Sequence, residues 1–245
     1  MMEHSVAAMP VALLAGGLAT RLRPLTERVP KVLLEVAGKP FLYHQLSYLR
    51  DQGIRDVVLC VGFLGEMIQH QFGDGSALGI RLYYAFDGPR LLGTGGAIRQ
   101  ALPLLGDAFF VLYGDSYLLV DYAEVASRFW QSESPALMTL FENANRWDTS
   151  NVWYENGAIK KYDKGARIAE MHHIDYGLSV FKSSVFADLP SGAVLDLAQI
   201  QCVLAAEGNL AGYVARRRFY EIGSHAGLAE LNALLSAQET IASST

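Results

Sequence analysis

Hydrophobic residues fall into short continuous runs in the first half of the chain and into shorter, more closely spaced runs in the second. Residues 11–14, 56–62, 81–86 and 109–113 read as strands, and the largely unbroken apolar character of 11–14, 56–62 and 109–113 predicts cover on both faces. Between them the spacing turns helical. Apolar residues at 41, 42, 43, 46, 48 and 49 predict a helix over 41–52 that Gly53 ends. Further helices are predicted over 64–72 and from Gly93 to about Leu105. Strand and helix in alternation imply βαβ units and a mainly parallel sheet. Beyond a helix at 122–130 the texture changes. Strands are predicted at 136–141, 151–154, 159–162, 174–181 and 211–214, with Glu155-Asn156-Gly157 as a hairpin turn. Helices at about 195–207 and 226–238 complete the pattern, and the tail after Gln238 reads as frayed. No linker, repeat or low-complexity tract divides the chain, so one domain over 1–245 is expected, with halves at about 10–120 and about 121–238.

Composition sharpens this picture. Of 245 residues, 51% are hydrophobic, enough for a sizeable core, and only 18% are charged. A net charge of −5 argues against a general nucleic-acid binder, which needs a broad basic face. Positive charge gathers instead at Arg21, Arg23, Arg28 and Lys31, and again at Lys160, Lys161 and Lys164. Local clusters in an acidic chain suit a small anionic ligand. Cys60 and Cys202 lack metal-ligand spacing and read as buried free thiols in a reducing compartment. No apolar run approaches the roughly 18–20 residues that span a bilayer. The stretch 1–10 has neither a basic n-region nor an apolar h-region, so no signal peptide is read and a cytoplasmic location is expected.

The chemistry starts at the first strand. It runs through Leu14 into Ala15-Gly16-Gly17, small residues whose amides can approach a ligand closely. Thr20-Arg21, Arg23-Pro24 and Pro30-Lys31 follow. A strand, a glycine turn and fixed cations suit a polyphosphate. Gly-Gly after a strand is by itself only a tight turn, and the spacing is neither a Walker loop nor a dinucleotide fingerprint. The whole combination resembles the G-G-x-G-T-R-x-x-P-x-T and x-P-K signature of the sugar-1-phosphate nucleotidyltransferases. The family's third glycine is Ala19 here, and its methyl group is expected to resist a positive φ.

The resemblance extends from Val11 to about Leu235. It implies a single-domain, Rossmann-like α/β three-layer sandwich with a mixed, mainly parallel central sheet. The reaction it implies joins a nucleoside triphosphate and a sugar 1-phosphate into a nucleotide-sugar, releasing pyrophosphate, with Mg²⁺ as cofactor. Asp115, at the end of the fourth strand, could alone serve a turn as well as a metal; the family's strand-Gly-Asp element makes it a magnesium ligand. The second ligand falls on Glu221, in Phe219-Tyr220-Glu221-Ile222-Gly223-Ser224, where the family carries aspartate. Arg21, Lys31, Asp115 and Lys164 are the implied catalytic set. Nucleotide contacts fall on Leu14, Ala15, Gly16, Gly17 and Thr20, and on Gly93, Thr94 and Gly95, a helix start whose free amides and small residues would admit a flat ring. Acceptor contacts fall on Asn151, Asp163, Lys164, Asp175 and Gly177. His172 and His173 point to opposite sides of a strand and read as structural. Arg-Leu-Arg-Pro-Leu-Thr is similar to the mannose-1-phosphate guanylyltransferases, and the short length resembles both the heptose-1-phosphate guanylyltransferases and the muramate-1-phosphate uridylyltransferases; the Gly16-Gly17 pair, where uridylyltransferases more often carry Ala-Gly, leans toward GTP. A UTP- or dTTP-dependent enzyme is the alternative, and a nucleotide-sugar-binding protein without turnover is the rival from another class. No nucleic acid or membrane partner is expected, and the resemblance leaves room for a homo-oligomer.

Overall fold

The computed structural model describes residues 6–242. Its strands, in chain order, are β1 (Val11–Leu14), β2 (Glu35–Val36), β3 (Lys39–Pro40), β4 (Asp56–Val61), β5 (Arg81–Phe86), β6 (Ala108–Tyr113), β7 (Ser116–Leu118), β8 (Ala136–Glu142), β9 (Val152–Glu155), β10 (Ala158–Tyr162), β11 (His173–Lys182), β12 (Leu210–Val214) and β13 (Phe219–Glu221). The helices are α1 (Phe41–Asp51), α2 (Gly65–Phe72), α3 (Gly93–Ala101), α4 (Tyr122–Ser132), α5 (Ser184–Ala187), α6 (Leu197–Ala206) and α7 (His225–Ala242). The last is longer than its pattern suggested: the tail expected to fray after Gln238 is helical through Ala242, and 243–245 lie outside the described residues. Half of the stretch read for a signal peptide, residues 1–5, also lies outside them.

Nine strands form one mixed sheet in the order β5-β4-β1-β6-β11-β8-β12-β10-β9. The first four run parallel, with β1 between β4 and β6 in the registers Val11↔Val57 and Val11↔Phe110. β11 then runs antiparallel to both β6 and β8. The apolar runs are explained by their two neighbours. Val11, Leu13, Val57, Leu59, Phe110 and Leu112 face α1 and α4, whereas Ala12, Val58, Cys60, Phe109 and Val111 face α3 and α6. Alternate residues of each strand thus enter different cores, so no position could be polar without being buried. The result is a helix–sheet–helix arrangement with both faces closed.

Two features position the cleft. At the sheet's centre, a register shift between Asp175 and Ser179 opens a bulge in β11, with Gly177 at φ +98°. Beside it, β7 and β13 form a short antiparallel ribbon that pairs Ser116 with Glu221. The ribbon rests on a third apolar cluster containing Tyr117, Ile222, Leu231 and Leu235, so α7 supports it from below.

Candidate active site

The parallel strands end in two adjoining cavities. The first, of about 240 Å³, is lined by Leu14, Ala15, Gly16, Gly17, Cys60, Asp87, Leu91, Gly93, Thr94 and Ala97, among others. The second, of about 890 Å³, takes in Thr20, Arg21, Asn151, Lys164, Asp175, Gly177 and Glu221. Ala19, Lys31, Tyr113 and Asp115 line both. They form the seam.

The seam is built by close backbone approach. Gly114 donates its N–H to the Leu14 carbonyl at 3.0 Å, and a Cβ at Gly114 would run into that same oxygen. Only glycine lets β6 turn there and deliver Asp115. Lys31 Nζ lies 2.9 Å from Asp115 Oδ2 in a partly buried ion pair. Glu221 comes in from β13, and the Ile222 N–H donates to the Asp115 carbonyl at 2.9 Å. Its carboxylate accepts from the Gly223 N–H and from Ser224 Oγ, the latter at 2.7 Å. A Cβ at Gly223 would meet Glu221 Oε2 at 2.5 Å, Lys31 Nζ at 3.6 Å and Asp115 Oδ2 at 3.7 Å, so two carboxylates and one ammonium converge on that point. No group of three His, Cys, Asp or Glu side chains with metal-binding geometry occurs among the described residues. A pair of carboxylates still fits magnesium, which takes one or two protein carboxylates and completes its shell from water and substrate phosphates.

Ala19 adopts the left-handed conformation that its methyl group was expected to resist, at φ 47° and ψ 44°. Its carbonyl accepts from the buried Thr26 hydroxyl at 2.8 Å, which holds the turn. The loop therefore follows the path a glycine would take. It carries Thr20 and Arg21 to the second cavity rather than the first, so Thr20 does not line the cavity of the other residues expected around the nucleotide.

The start of α3 differs from expectation. The Gly95 and Gly96 amides are not free: both donate to the Leu195 carbonyl, at 2.8 and 3.2 Å. The Thr94 hydroxyl donates to Asp196 Oδ1 at 2.9 Å and accepts from the Leu197 N–H at 2.8 Å. A Cβ at Gly96 would strike the Ala193 carbonyl, and one at Gly93 would sit 2.7 Å from that of Leu195. Three glycines in four residues thus let α3 dock against the segment 193–197. Gly95 is buried and off the cavity wall, while Gly93 and Thr94 remain on it.

In the second cavity the bulge of β11 presents Asp175. Asn151 Oδ1 accepts from the Asp175 N–H at 2.9 Å, Tyr162 OH donates to Asp175 Oδ2 at 3.2 Å, and the Gly177 N–H donates to Oδ1 at 3.0 Å. Burial pushes the Asp175 carboxyl above its ordinary value, opposed chiefly by the charge of Lys164. Lys164 Nζ stands 5.2 Å from the centre of the Tyr113 ring. Asp163 lies off the wall: its Oδ1 accepts from the Gly165 and Ala166 N–H groups at 2.8 and 2.9 Å. Those bonds hold its carboxyl below the usual range and shape the turn that presents Lys164. His173 packs edge-on against Tyr154, with ring centres 5.3 Å apart.

The structure adds residues the pattern did not reveal. Asp87 stands just beyond β5, in the first cavity. Tyr113 divides the cavities, its hydroxyl buried without a hydrogen-bond partner. Trp147, Thr149 and Arg167 line the outer wall of the second cavity, where Arg167 donates to Thr149 Oγ1 at 2.9 Å. Asp87 had one legible signal, its place directly after a strand. Trp147 had none.

A sheet whose parallel strands end over a glycine turn, with cations and carboxylates at the seam of two cavities, is the architecture of nucleotidyl transfer. The model of the Nucleotidyl transferase family matches residues 11–238, and the chain belongs to that family. It is 29% identical over 233 residues to the N-acetylmuramate alpha-1-phosphate uridylyltransferase of Neisseria meningitidis, covering 94% of this chain and 99% of that one. To the D-glycero-alpha-D-manno-heptose 1-phosphate guanylyltransferase of Campylobacter jejuni it is 33% identical over 180 residues, covering 74% and 79%. The crystal structure of HddC from Yersinia pseudotuberculosis, complexed with GMP-PN, shares the fold. Its TM-score is 0.74 at 24% identity, over 93% of this chain and 99% of that one. The chain is accordingly an enzyme of the sugar-1-phosphate nucleotidyltransferase class. The printed activities of these relatives differ in both base and sugar. Among the described residues no helix is long and apolar enough to cross a membrane.

Proposed function

We propose that this enzyme joins GTP to a heptose or mannose 1-phosphate, releasing pyrophosphate, with the first cavity holding the nucleotide and the second the sugar phosphate. On this reading the half at about 10–120 serves the nucleotide and the half at about 121–238 serves the acceptor. One observation carries it: Lys31, Tyr113 and Asp115 line both cavities, so two substrates bound in them would meet at a cation flanked by carboxylates. The guanylyltransferase relative at 33% identity supports the choice of base.

A phosphate oxygen of the acceptor would attack the α-phosphorus in line, and pyrophosphate would leave with the electron pair of the broken P–O bond. The nucleophile is already anionic, so no general base is required. The obstacle is charge, and fixed cations address it. Lys31 would neutralise the triphosphate and the leaving group, and Arg21, at the rim of the second cavity, would stabilise charge that gathers as the substrates meet. Lys164 would hold the acceptor phosphate, with Asn151 and Asp175 reading sugar hydroxyls beside Gly177. Asp115 and Glu221 are the residues that would hold Mg²⁺. When bound, the ion would lower the repulsion between phosphates. Glu221, one methylene longer than the aspartate of the resembled motif, reaches the same point as Asp115, which supports its place in the pair.

The test is a matrix of GTP, UTP, dTTP and ATP against several sugar 1-phosphates, read as pyrophosphate release. GTP with a manno-configured acceptor should give the highest kcat/KM. Turnover confined to UTP or dTTP would remove the proposed base, and binding without turnover in every pair would remove the proposed reaction.

A further inference from the structure

We propose that Gln45 is the positioning residue for Asp115: its buried amide ties together the two ends of the turn that presents this carboxylate at the seam. The inference rests on reading Asp115 and Glu221 as the pair that would hold the metal. It goes beyond that reading by naming what keeps one of them in place.

The signal begins on α1. Leu42, Gln45, Leu46 and Leu49 are all buried, and their spacing is the stripe that a helix turns toward a core. The three leucines enter the apolar cluster beneath the parallel strands. Gln45 takes the fourth place, 2% exposed, where another leucine would complete the pattern. A primary amide buried there loses its hydration and has to recover those bonds from the protein.

It recovers them at one end. Nε2 donates to the Ser116 carbonyl at 2.8 Å and, more weakly, to the Tyr113 carbonyl at 3.3 Å. Oε1 is buried without a hydrogen-bond partner among the described residues. Turning the amide over would set an oxygen against two carbonyl oxygens, so the donors must face the turn. The orphaned oxygen is a cost to stability that an apolar side chain here would not carry. The donor end is therefore the part with a task.

That task is local to Asp115. Tyr113 ends β6 and Ser116 opens β7, so the two carbonyls bracket Gly114 and Asp115. Main-chain bonds seat the same turn against its neighbours: the Gly114 N–H donates to the Leu14 carbonyl, and the Ile222 N–H donates to that of Asp115. These fix where the turn lies against β1 and against the segment after β13. The amide of Gln45 adds a brace across the turn itself, from a helix about seventy residues earlier in the chain. Magnesium takes oxygens at about 2.0–2.1 Å in nearly ideal octahedral geometry, so a small loosening of one carboxylate is felt as lost affinity.

The test compares the parent with Gln45→Met, which fills the same space without a donor, and Gln45→Asn, which withdraws the donor by one methylene. Amide hydrogen exchange is read at Gly114 and Ile222, and binding of Mn²⁺ alone is read by its paramagnetic resonance signal. Both amides should exchange roughly tenfold faster in each variant, the value of one hydrogen bond, while Val58 and Val111 in the central strands keep their protection. Mn²⁺ affinity should fall roughly tenfold to a hundredfold, the range for losing a group that orients a metal ligand. Saturating Mg²⁺ should restore kcat, a recovery that a generally damaged fold would not show. Unchanged exchange at both amides in a folded variant overturns the proposal, and so does faster exchange with unchanged Mn²⁺ affinity. The parent gives a readout that needs no variant: side-chain amide protons of Gln45 that exchange as fast as a free amide overturn it too. A parent that binds no Mn²⁺ sinks the metal reading of Asp115 and Glu221. Exchange at Gly114 and Ile222 then decides the fate of Gln45 separately, faster exchange upholding its hold on the turn and unchanged exchange ending it.

Discussion

The two cavities are made of different materials. The first is mostly main chain and apolar side chain, set at the ends of parallel strands whose mutual register fixes where each strand stops. The second is mostly polar and charged side chain, drawn from a bulge, a hairpin, an exposed loop and the β7–β13 ribbon. Backbone geometry tolerates little change, because a methyl group at Gly96 or Gly114 would collide with a carbonyl oxygen. Side chains on a loop can be exchanged singly. On the proposed reading, a chain built this way would keep its phosphate-handling floor while its acceptor wall stays free to change. Matched relatives named for muramate, heptose and mannose phosphates are what such a division would produce.

The largest expected effect lies at the seam, where the contrast disappears. Lys31→Ala and Asp115→Asn should each lower kcat by roughly 10²–10³, the loss typical of removing one preorganised charge contact. Both should disturb handling of nucleotide and acceptor together. Their ion pair is partly exposed, so it contributes only about 0–1 kcal/mol to stability, and the melting temperature should scarcely move. Pyrophosphate release and thermal melts on the same preparations check both halves. A defect confined to one substrate's KM would show that the cavities do not share a centre.

Much of the nucleotide side was legible because its signals are local. Val11–Leu14 and Arg81–Phe86 follow from patterns a few residues long; so, in the other half, does the turn at Asn156-Gly157, which adopts positive φ at both positions. The seam was legible in its residues and not in its assembly. β7 and β13 are three residues each, too short for any periodicity, yet their pairing is what sets Glu221 beside Asp115. The glycines of α3 were noticed for the wrong physical reason. Their amides meet the Leu195 carbonyl, a contact across about a hundred residues that no local pattern encodes. Trp147 and Arg167 sit on a wall whose composition depends on how one loop folds over another, so no spacing pointed to them.

On the acceptor side the effect should be smaller and one-sided. Asp175→Asn keeps a polar group beside Tyr162 and removes the charge facing Lys164. KM for the sugar 1-phosphate should rise roughly tenfold, the value of one charge-assisted hydrogen bond, while KM for the nucleotide holds. Stability carries a second signature. Because burial raises this carboxyl, the folded protein keeps its proton at pH values where the unfolded chain, near 3.8, has released it. Parent stability is therefore lost as pH rises from the unfolded value through the native one. The asparagine variant lacks that loss, so its melting temperature relative to the parent should increase as pH rises above about 4. A difference independent of pH would mean that Asp175 is as well solvated in the fold as out of it.

The smallest effect tests backbone alone. Ala19 lines both cavities, holds the left-handed conformation and has its carbonyl fixed by Thr26. That conformation costs an alanine about 1–2 kcal/mol. Ala19→Gly removes the cost, and the extra freedom of glycine in the unfolded chain offsets about 0.5–1 kcal/mol of the gain. The net stabilisation, between zero and about 1.5 kcal/mol, should leave the melting temperature unchanged or raise it by up to roughly 5 °C for a chain of this size. Because the loop already follows the path glycine would choose, kcat/KM for both substrates should equal the parent's. A variant that melts lower, or keeps its melting temperature and loses activity, would show that the Ala19 methyl itself touches substrate, and the seam would then owe part of its function to a side chain.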